Sequence, residues 1–334
     1  VADAFLSRQG QIAGTGDPTA LFLKLGFNEV IAAFERDCIF KNWVRTRNIT
    51  KGKSAAFPVT GRRTARYHVP GTPILGETNA PSANNEEVVN LDALIIADEV
   101  VYDLDEAMSY YEVRQDITRE LGSALARDWD ARAARVIHAC AKRVTPQLAK
   151  AINADRIGQT QVLTAGYAAA NKQAKGDELV SAIGNLKVAM KKKDVPTDNL
   201  VLVVPPDEYD FLNESSKATN RDFTSGNNGG LDDGRVLRVK GIPVYESNHV
   251  TQPAYTNVAN SDRNIDYQQN LTRCRGLLFH RDAIGVLTLK APQMEMTAPN
   301  GDFFKMYQAT LMLAKMAIGM KSLRPECAAV IEVP

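Results

Sequence analysis

Two adjoining stretches of opposite charge constrain this chain more than any other feature. From Lys41 to His68 it carries eight cationic residues (Lys41, Arg45, Arg47, Lys51, Lys53, Arg62, Arg63, Arg66) and no acid. From Glu77 to Glu106 it carries nine acids (Glu77, Glu86, Glu87, Asp92, Asp98, Glu99, Asp103, Asp105, Glu106) and no cation. The local pattern is strand-like: Ser54–Val59 and Thr64–Val69 flank Thr60-Gly61-Arg62-Arg63, which reads as a hairpin tip. After the turn-rich Pro70–Pro81, the run Val88–Val101 reads as one long strand. Residues 51–101 therefore look like a long two-stranded excursion with few side chains able to build a core. An isolated ribbon is marginal in water, so it needs support from elsewhere. The two charge blocks either pair across the ribbon within one subunit or meet another copy of the chain; their segregation favours self-association.

The flanking segments have different periods. The first 20 residues are polar and Gly-rich and read as a flexible arm, and 20–37 has helix-like apolar spacing. Beyond the acidic block, Val113, Ile117, Leu121, Leu125 and Trp129 recur every four residues, followed by Ala133, Val136, Ile137, Cys140 and Val144. Such a helix would reach about 50 Å at ~1.5 Å per residue. Steps of four advance the stripe by about 40° each, so it must meet more than one neighbouring surface, as a spine does. From Gly176 helix and strand alternate: a helix capped by Asp177, a buried strand Leu200–Val204, a short helix around Tyr209–Leu212 and a strand Val236–Tyr245. Two long polar stretches, Asn213–Gly234 and Ser247–Arg273, interrupt this lobe. The last quarter is β-rich (Gly276–Phe279, Gly285–Lys290, Met294–Thr297, Phe303–Met320, Ala328–Val333), with a hairpin signal at Asn300-Gly301.

Chemistry-bearing motifs are missing. The four histidines, His68, His138, His249 and His280, lack metal-ligand spacing, and there is no GxSxG, GxGxxG or GxxxxGK[ST] sequence. The glycines of 226–234 lack the flanking elements of a phosphate loop and read as a mobile loop. No catalytic residue, cofactor or metal is expected. With 40 Lys+Arg against 39 Asp+Glu, the chain has no cation excess for a strongly basic nucleic-acid binder. No apolar run approaches the ~20 residues of a membrane span, and Val1–Phe5 lacks the pattern of a secretory signal. The scattered Cys38, Cys140, Cys274 and Cys327 are expected as unpaired, packed thiols of a reducing compartment.

Several pieces, in order, resemble one family. These are Ala20–Lys24, Lys51-Gly52-Lys53-Ser54-Ala55-Ala56-Phe57-Pro58-Val59-Thr60-Gly61-Arg62, Tyr102–Met108 with Val113-Arg114, Leu278–Val286, and Gly319 with Leu323-Arg324-Pro325-Glu326. Together they resemble the major capsid proteins of T-7-like short-tailed bacteriophages. The resemblance implies an α+β, HK-97-like capsid fold: an N-terminal arm (1–50), an extended β-ribbon loop (51–101), a peripheral domain with the spine helix (102–175 and 285–334), and an α/β axial domain (176–284). It implies a structural protein, not an enzyme, that self-assembles into pentons and hexons of an icosahedral virion shell enclosing double-stranded DNA. A scaffolding protein and a portal at one vertex are the implied partners, with assembly in the bacterial host cytoplasm and no membrane. Some relatives cross-link a loop Lys to a neighbour's Asn; T-7-like shells resemble the non-cross-linked branch. An encapsulin-type shell holding an enzyme cargo is the alternative in the same fold. The expected subunit-contact residues are Lys51, Lys53, Arg62, Arg63, Arg66, Glu86, Glu87, Asp98 and Glu99.

Overall fold

A computed structural model describes residues 29–35, 37–62, 65, 67–71, 84–103, 113–148, 153–215, 238–253, 264–297 and 302–334. The arm up to residue 28, Arg63, Arg66, the 226–234 glycines and the Asn300-Gly301 turn lie outside the described residues. The chain divides into two compact units: Val1–Ile39, Asp92–Asp130 and Thr288–Ile318 form one, and Phe40–Leu91, Ala131–Leu287 and Gly319–Pro334 the other.

The larger unit is built on a six-stranded sheet. Its strands are β5 (Gln159–Val162), β6 (Leu200–Val204), β7 (Arg238–Val239), β8 (Ile242–Glu246), β9 (Cys274–His280) and β12 (Ala328–Glu332), in the order β5-β12-β9-β6-β8-β7. All five residues of β6 (LVLVV) and of β12 (AAVIE) are buried; for β6 this is what an unbroken apolar run requires when both faces of a strand are covered. β12 runs parallel to β5 and antiparallel to β9; β6 runs antiparallel to β9 and parallel to β8. Helices α2 (Lys172–Lys192) and α3 (Pro206–Glu214) pack on one another. Gly176 makes this approach possible, since a Cβ there would sit 2.1 Å from the Phe211 carbonyl oxygen. α2 begins five residues before the expected cap: Asn171 accepts from the Ala174 N–H, while Asp177 lies inside the helix and accepts from Ser215. A free side-chain oxygen beside the first turn decides a cap, and Asn171 supplies it.

The same unit carries the short strand β1 (Arg45–Asn48) and a separate two-stranded ribbon, β2 (Ser54–Thr60) antiparallel to β3 (Asn84–Asn90), in the register Ser54↔Asn90 to Thr60↔Asn84. The strand-like composition of 64–69 makes it the expected partner of 54–59; residues 65 and 67–69 are not strand, and the partner comes from 84–90.

In the smaller unit, β4 (Ile95–Tyr102) is an edge strand paired antiparallel to β11 (Ala309–Ser322), from Ala309↔Tyr102 to Met316↔Ile95. β11 is in turn followed by β10 (Ile284–Met296) in that sheet's order. β10 is continuous where two shorter strands were expected, and α4 (Asp302–Tyr307) stands in the connection that precedes β11. The run 88–101 is not one strand. Leu91 donates its N–H to Lys53 and Asp92 donates to Ile318, so the backbone changes partner between two adjacent residues.

The spine helix is present as α1 (Val113–Lys142), 30 residues long, about 45 Å at 1.5 Å per residue. In the smaller unit Leu121, Leu125, Ala126 and Trp129 are buried, and the carboxylate of Asp130 accepts from Cys38 Sγ (3.1 Å) and the Ile39 N–H (2.8 Å). In the larger unit Ala133, Ala134, Val136, Ile137, His138, Cys140 and Ala141 are buried in close succession. A helix covered on nearly all sides matches a stripe that winds.

Gly319 of β11 sits where a Cβ would fall 2.0 Å from the Asn90 carbonyl oxygen. Gly319→Ala must push the end of β3 away from β11, and a loss of about 1–3 kcal/mol is expected. Thermal denaturation of the unassembled subunit measures it; an unchanged midpoint would show that β3 is free to move.

Candidate subunit-contact surface

From Phe57 onward on β2, and along β3 from Glu86, the ribbon alternates. Phe57 and Val59 of β2 and Glu87 and Val89 of β3 are buried, while Pro58, Thr60, Glu86, Val88 and Asn90 are exposed. A two-residue period puts neighbours on opposite faces, so Glu86 points outward and Glu87 inward. Phe57 and Val89 join Leu287 and Leu323 in one apolar cluster, with Ile49, Ala55 and Leu91 packed around it. The ribbon therefore has support within its own subunit, which removes the premise that another copy must hold it up.

Glu87 lies opposite Phe57 and is only 7% exposed. Its carboxylate accepts from Lys321 Nζ at 2.9 Å, Gln147 Nε2 at 3.0 Å and Arg143 at 3.4 Å. Two cations and an amide thus compensate one buried charge, the condition under which such a charge is tolerated. Lys321 also donates to the Val88 carbonyl and Asn85 to that of Gln147. A one-residue slip of β3 would expose Glu87 and bury Glu86 with no such donors.

Arg62 anchors the other end. Its guanidinium lies 2.9 Å from Asp155 and 3.1 Å from Asp194 and donates to the Lys193 carbonyl at the C-terminus of α2, where a cation complements the helix dipole. Its backbone N–H donates to Asn153 Oδ1, and Arg156 donates to the Thr60 carbonyl. The tip-like Gly61-Arg62 is thus a docking point on the subunit body.

Arg62 and Glu87, two of the expected contact residues, are engaged inside the subunit. Lys51, Lys53, Glu86, Asp98 and Glu99 are exposed and form no ion pair among the described residues; Arg63 and Arg66 lie outside those residues. Asp98 and Glu99 stand on the edge strand β4, where Ile96, Val100 and Tyr102 are also exposed, 50%, 39% and 54% respectively. An eight-residue edge strand with apolar side chains open to water is a ready template for another chain. The alternation of Ile96, Asp98, Val100 and Tyr102 carried this signal in the sequence, but reading 88–101 as half of a ribbon hid it.

A second charged cluster holds β12 to α1. Glu332 receives His138 Nε2 at 2.9 Å and Lys142 Nζ at 2.6 Å. Burial pushes the Glu332 carboxyl up, but the hydrogen bonds from His138 and Lys142 outweigh it and hold the group below its ordinary value. All four cysteines are buried, and none is in a disulfide. Burial pushes the thiols of Cys274 and Cys327 up to about 12, which leaves them protonated and unreactive at neutral pH. Among the described residues no group of three or more His, Cys, Asp or Glu could hold a metal ion, and no helix is long and apolar enough to cross a membrane.

Residues 56–332 match a family described as Gp10A-like, major capsid protein. The chain is 30% identical to the major capsid protein of Escherichia phage T7 over 345 aligned positions, covering 97% of this chain and 95% of that one. It is also 30% identical to the major capsid protein of Enterobacteria phage T3, covering 98% and 96%. Among solved structures, the capsid of the cyanophage P-SCSP1u aligns with a TM-score of 0.75 and 31% identity over 89% of this chain and 88% of the other.

The Glu332 cluster sets an acid limit. Because its carboxyl titrates lower in the folded than in the unfolded chain, its contribution is fully present above the unfolded value near ~4.3. It is lost as pH falls through the depressed folded value. Denaturant titrations of wild type and Glu332→Gln should therefore diverge at pH 6–7 and converge toward pH 3. A stability gap independent of pH would rule out the ionised carboxylate as its source.

Proposed function

The chain belongs to the Gp10A-like major capsid protein family, and from that premise we propose how a structural shell protein of this sequence meets its neighbours. It is an α+β capsid protein of the HK-97-like fold, and its role is to build a virion shell from many copies of itself. The observation that carries this conclusion is identity of about 30% with phage major capsid proteins over nearly the full length of both chains. The encapsulin alternative has no such support.

In the proposed assembly the copies form pentons and hexons, with residues 176–284 around each capsomer axis. Residues 102–175 and 285–334 form the periphery, the arm is 1–50, and the loop 51–101 reaches over a neighbour. The ribbon stays clamped to its own subunit by Arg62 beyond the β2 end and by Glu87 within β3, and its exposed charges do the contacting. Lys51 and Lys53 of one copy, with Arg63 and Arg66 farther along the loop, meet the acidic and apolar β4 edge of the next at Asp98 and Glu99. Glu86 faces outward on the same ribbon and completes the polar rim. Each exposed pair is worth ~0–1 kcal/mol, so specificity comes from repetition around a closed symmetric assembly. The enclosed double-stranded DNA, a scaffolding protein, a portal vertex and assembly in the host cytoplasm complete the proposal.

The test is charge reversal. Lys51→Glu/Lys53→Glu should leave the subunit folded by circular dichroism while reducing the shell fraction in sedimentation and electron micrographs severalfold. Adding Asp98→Lys/Glu99→Lys should restore part of it. Normal shells from the reversed variant would dismiss this pairing. The same particles should run as monomer on a denaturing gel; a ladder above monomer mass would mean that the shell is cross-linked after all.

A further inference from the structure

A cluster of cations on the larger unit forms no ion pair among the described residues. β7 and β8 are joined by Lys240-Gly241, both at positive φ (50° and 81°). Glycine adopts that backbone freely, whereas lysine does so at a cost. The turn brings Lys240 across α2 at Gly184, where a Cβ would lie 2.1 Å from its Nζ. Lys187 donates to the Lys240 carbonyl, and Lys191 lies one turn farther along α2. Lys191, Lys192, Arg238 and Lys240 are exposed and Lys187 is half-buried. None of the five forms an ion pair among the described residues.

Lys191 and Lys192 have a sufficient local reason to be where they are, the dipole of the α2 C-terminus. That reason does not extend to Lys240 and Arg238, which arrive on a separate hairpin. Nor does it cover Lys187, more than a turn from the helix end, where the dipole effect has faded. Bringing like charges together costs energy unless an anion joins them. Lysines on flexible stems bind phosphate as point charges, and Arg238 can add a planar donor fork to a phosphate. A protein partner would want an apolar centre, and Val188 alone, 52% exposed, supplies little.

We propose that this corner, Lys187, Lys191 and Lys240 with Lys192 and Arg238 beside them, is a non-specific contact for the phosphate backbone of double-stranded DNA. The idea rests on the shell reading for its ligand, the enclosed genome. The contact is local, so it is compatible with a net charge of only +1, and it holds each copy's share of DNA weakly.

The experiment compares wild type with Lys187→Gln/Lys191→Gln/Lys240→Gln, measuring binding of the purified unassembled chain to a labelled random-sequence 30-base-pair duplex over a KCl series. Shell formation is scored separately by electron microscopy. The triple variant should form shells normally and bind the duplex about tenfold or more weakly at low salt. Its log–log salt slope should be shallower by about 2.7, three phosphate contacts at ~0.9 each. Wild-type affinity and slope in the variant, or no measurable binding by the wild type, would overturn the proposal. So would a folded variant that keeps DNA binding but no longer forms shells, since the corner would then be a protein contact. If neither form assembles while the DNA difference persists, it is the shell reading that fails and not this one.

Discussion

The ribbon's register depends on one buried carboxylate. Glu87 is the only acid on the inner face of β3 among the described residues, and Lys321, Gln147 and Arg143 converge on it from two separate parts of the chain. Apolar packing alone tolerates sliding, because Phe57 and Val89 could find similar contacts two residues along. A charge with three directional donors cannot slide without losing them, and the cost of stranding it, several kcal/mol for a buried pair, exceeds that of most packing defects. With β3 fixed, β2 is fixed through its seven paired residues. Lys51, Lys53 and Glu86 then emerge at defined places.

What the sequence disclosed, and what it withheld, follows from the range of the interactions involved. The spine helix was legible because its apolar residues recur within a few positions, and β6 because five consecutive aliphatic residues admit few other fates. That the cysteines are buried outside any disulfide followed from their scatter. The ribbon's pairing was not legible. Thr60-Gly61-Arg62-Arg63 has the composition of a hairpin tip, but Arg62 is claimed by Asp155, 93 residues away, and no local pattern announces a partner at that distance. The run 88–101 had strand composition throughout, and the break at Leu91-Asp92 arises because Lys53 and Ile318 compete for successive N–H groups.

The candidate contact residues divide along the same line. Composition marked two charge blocks, but it cannot tell a buried Glu87 from an exposed Glu86, since that distinction rests on the pleat. Once the pleat is known, the acidic block separates into a structural member, an outward member of the ribbon, and a pair on the β4 edge of the other unit. The block is one feature in sequence and three in space.

That separation changes what near-neutrality means. Opposite charges cancelling within a subunit, as Arg62 does with Asp155 and Asp194, leave nothing for a neighbour. Charges left over, as at Lys51, Lys53, Asp98 and Glu99, remain available in both signs on every copy. An assembly of identical chains needs this second kind: each copy must offer a surface and its complement, and a subunit of one sign would repel its own kind. Weak exposed pairs also let a misplaced copy leave before the shell closes, whereas deep ion pairs such as that of Glu87 would trap it. In the proposed assembly the strong electrostatics therefore lie inside the subunit, where the geometry is made once, and the weak ones between subunits, where it must be corrected many times.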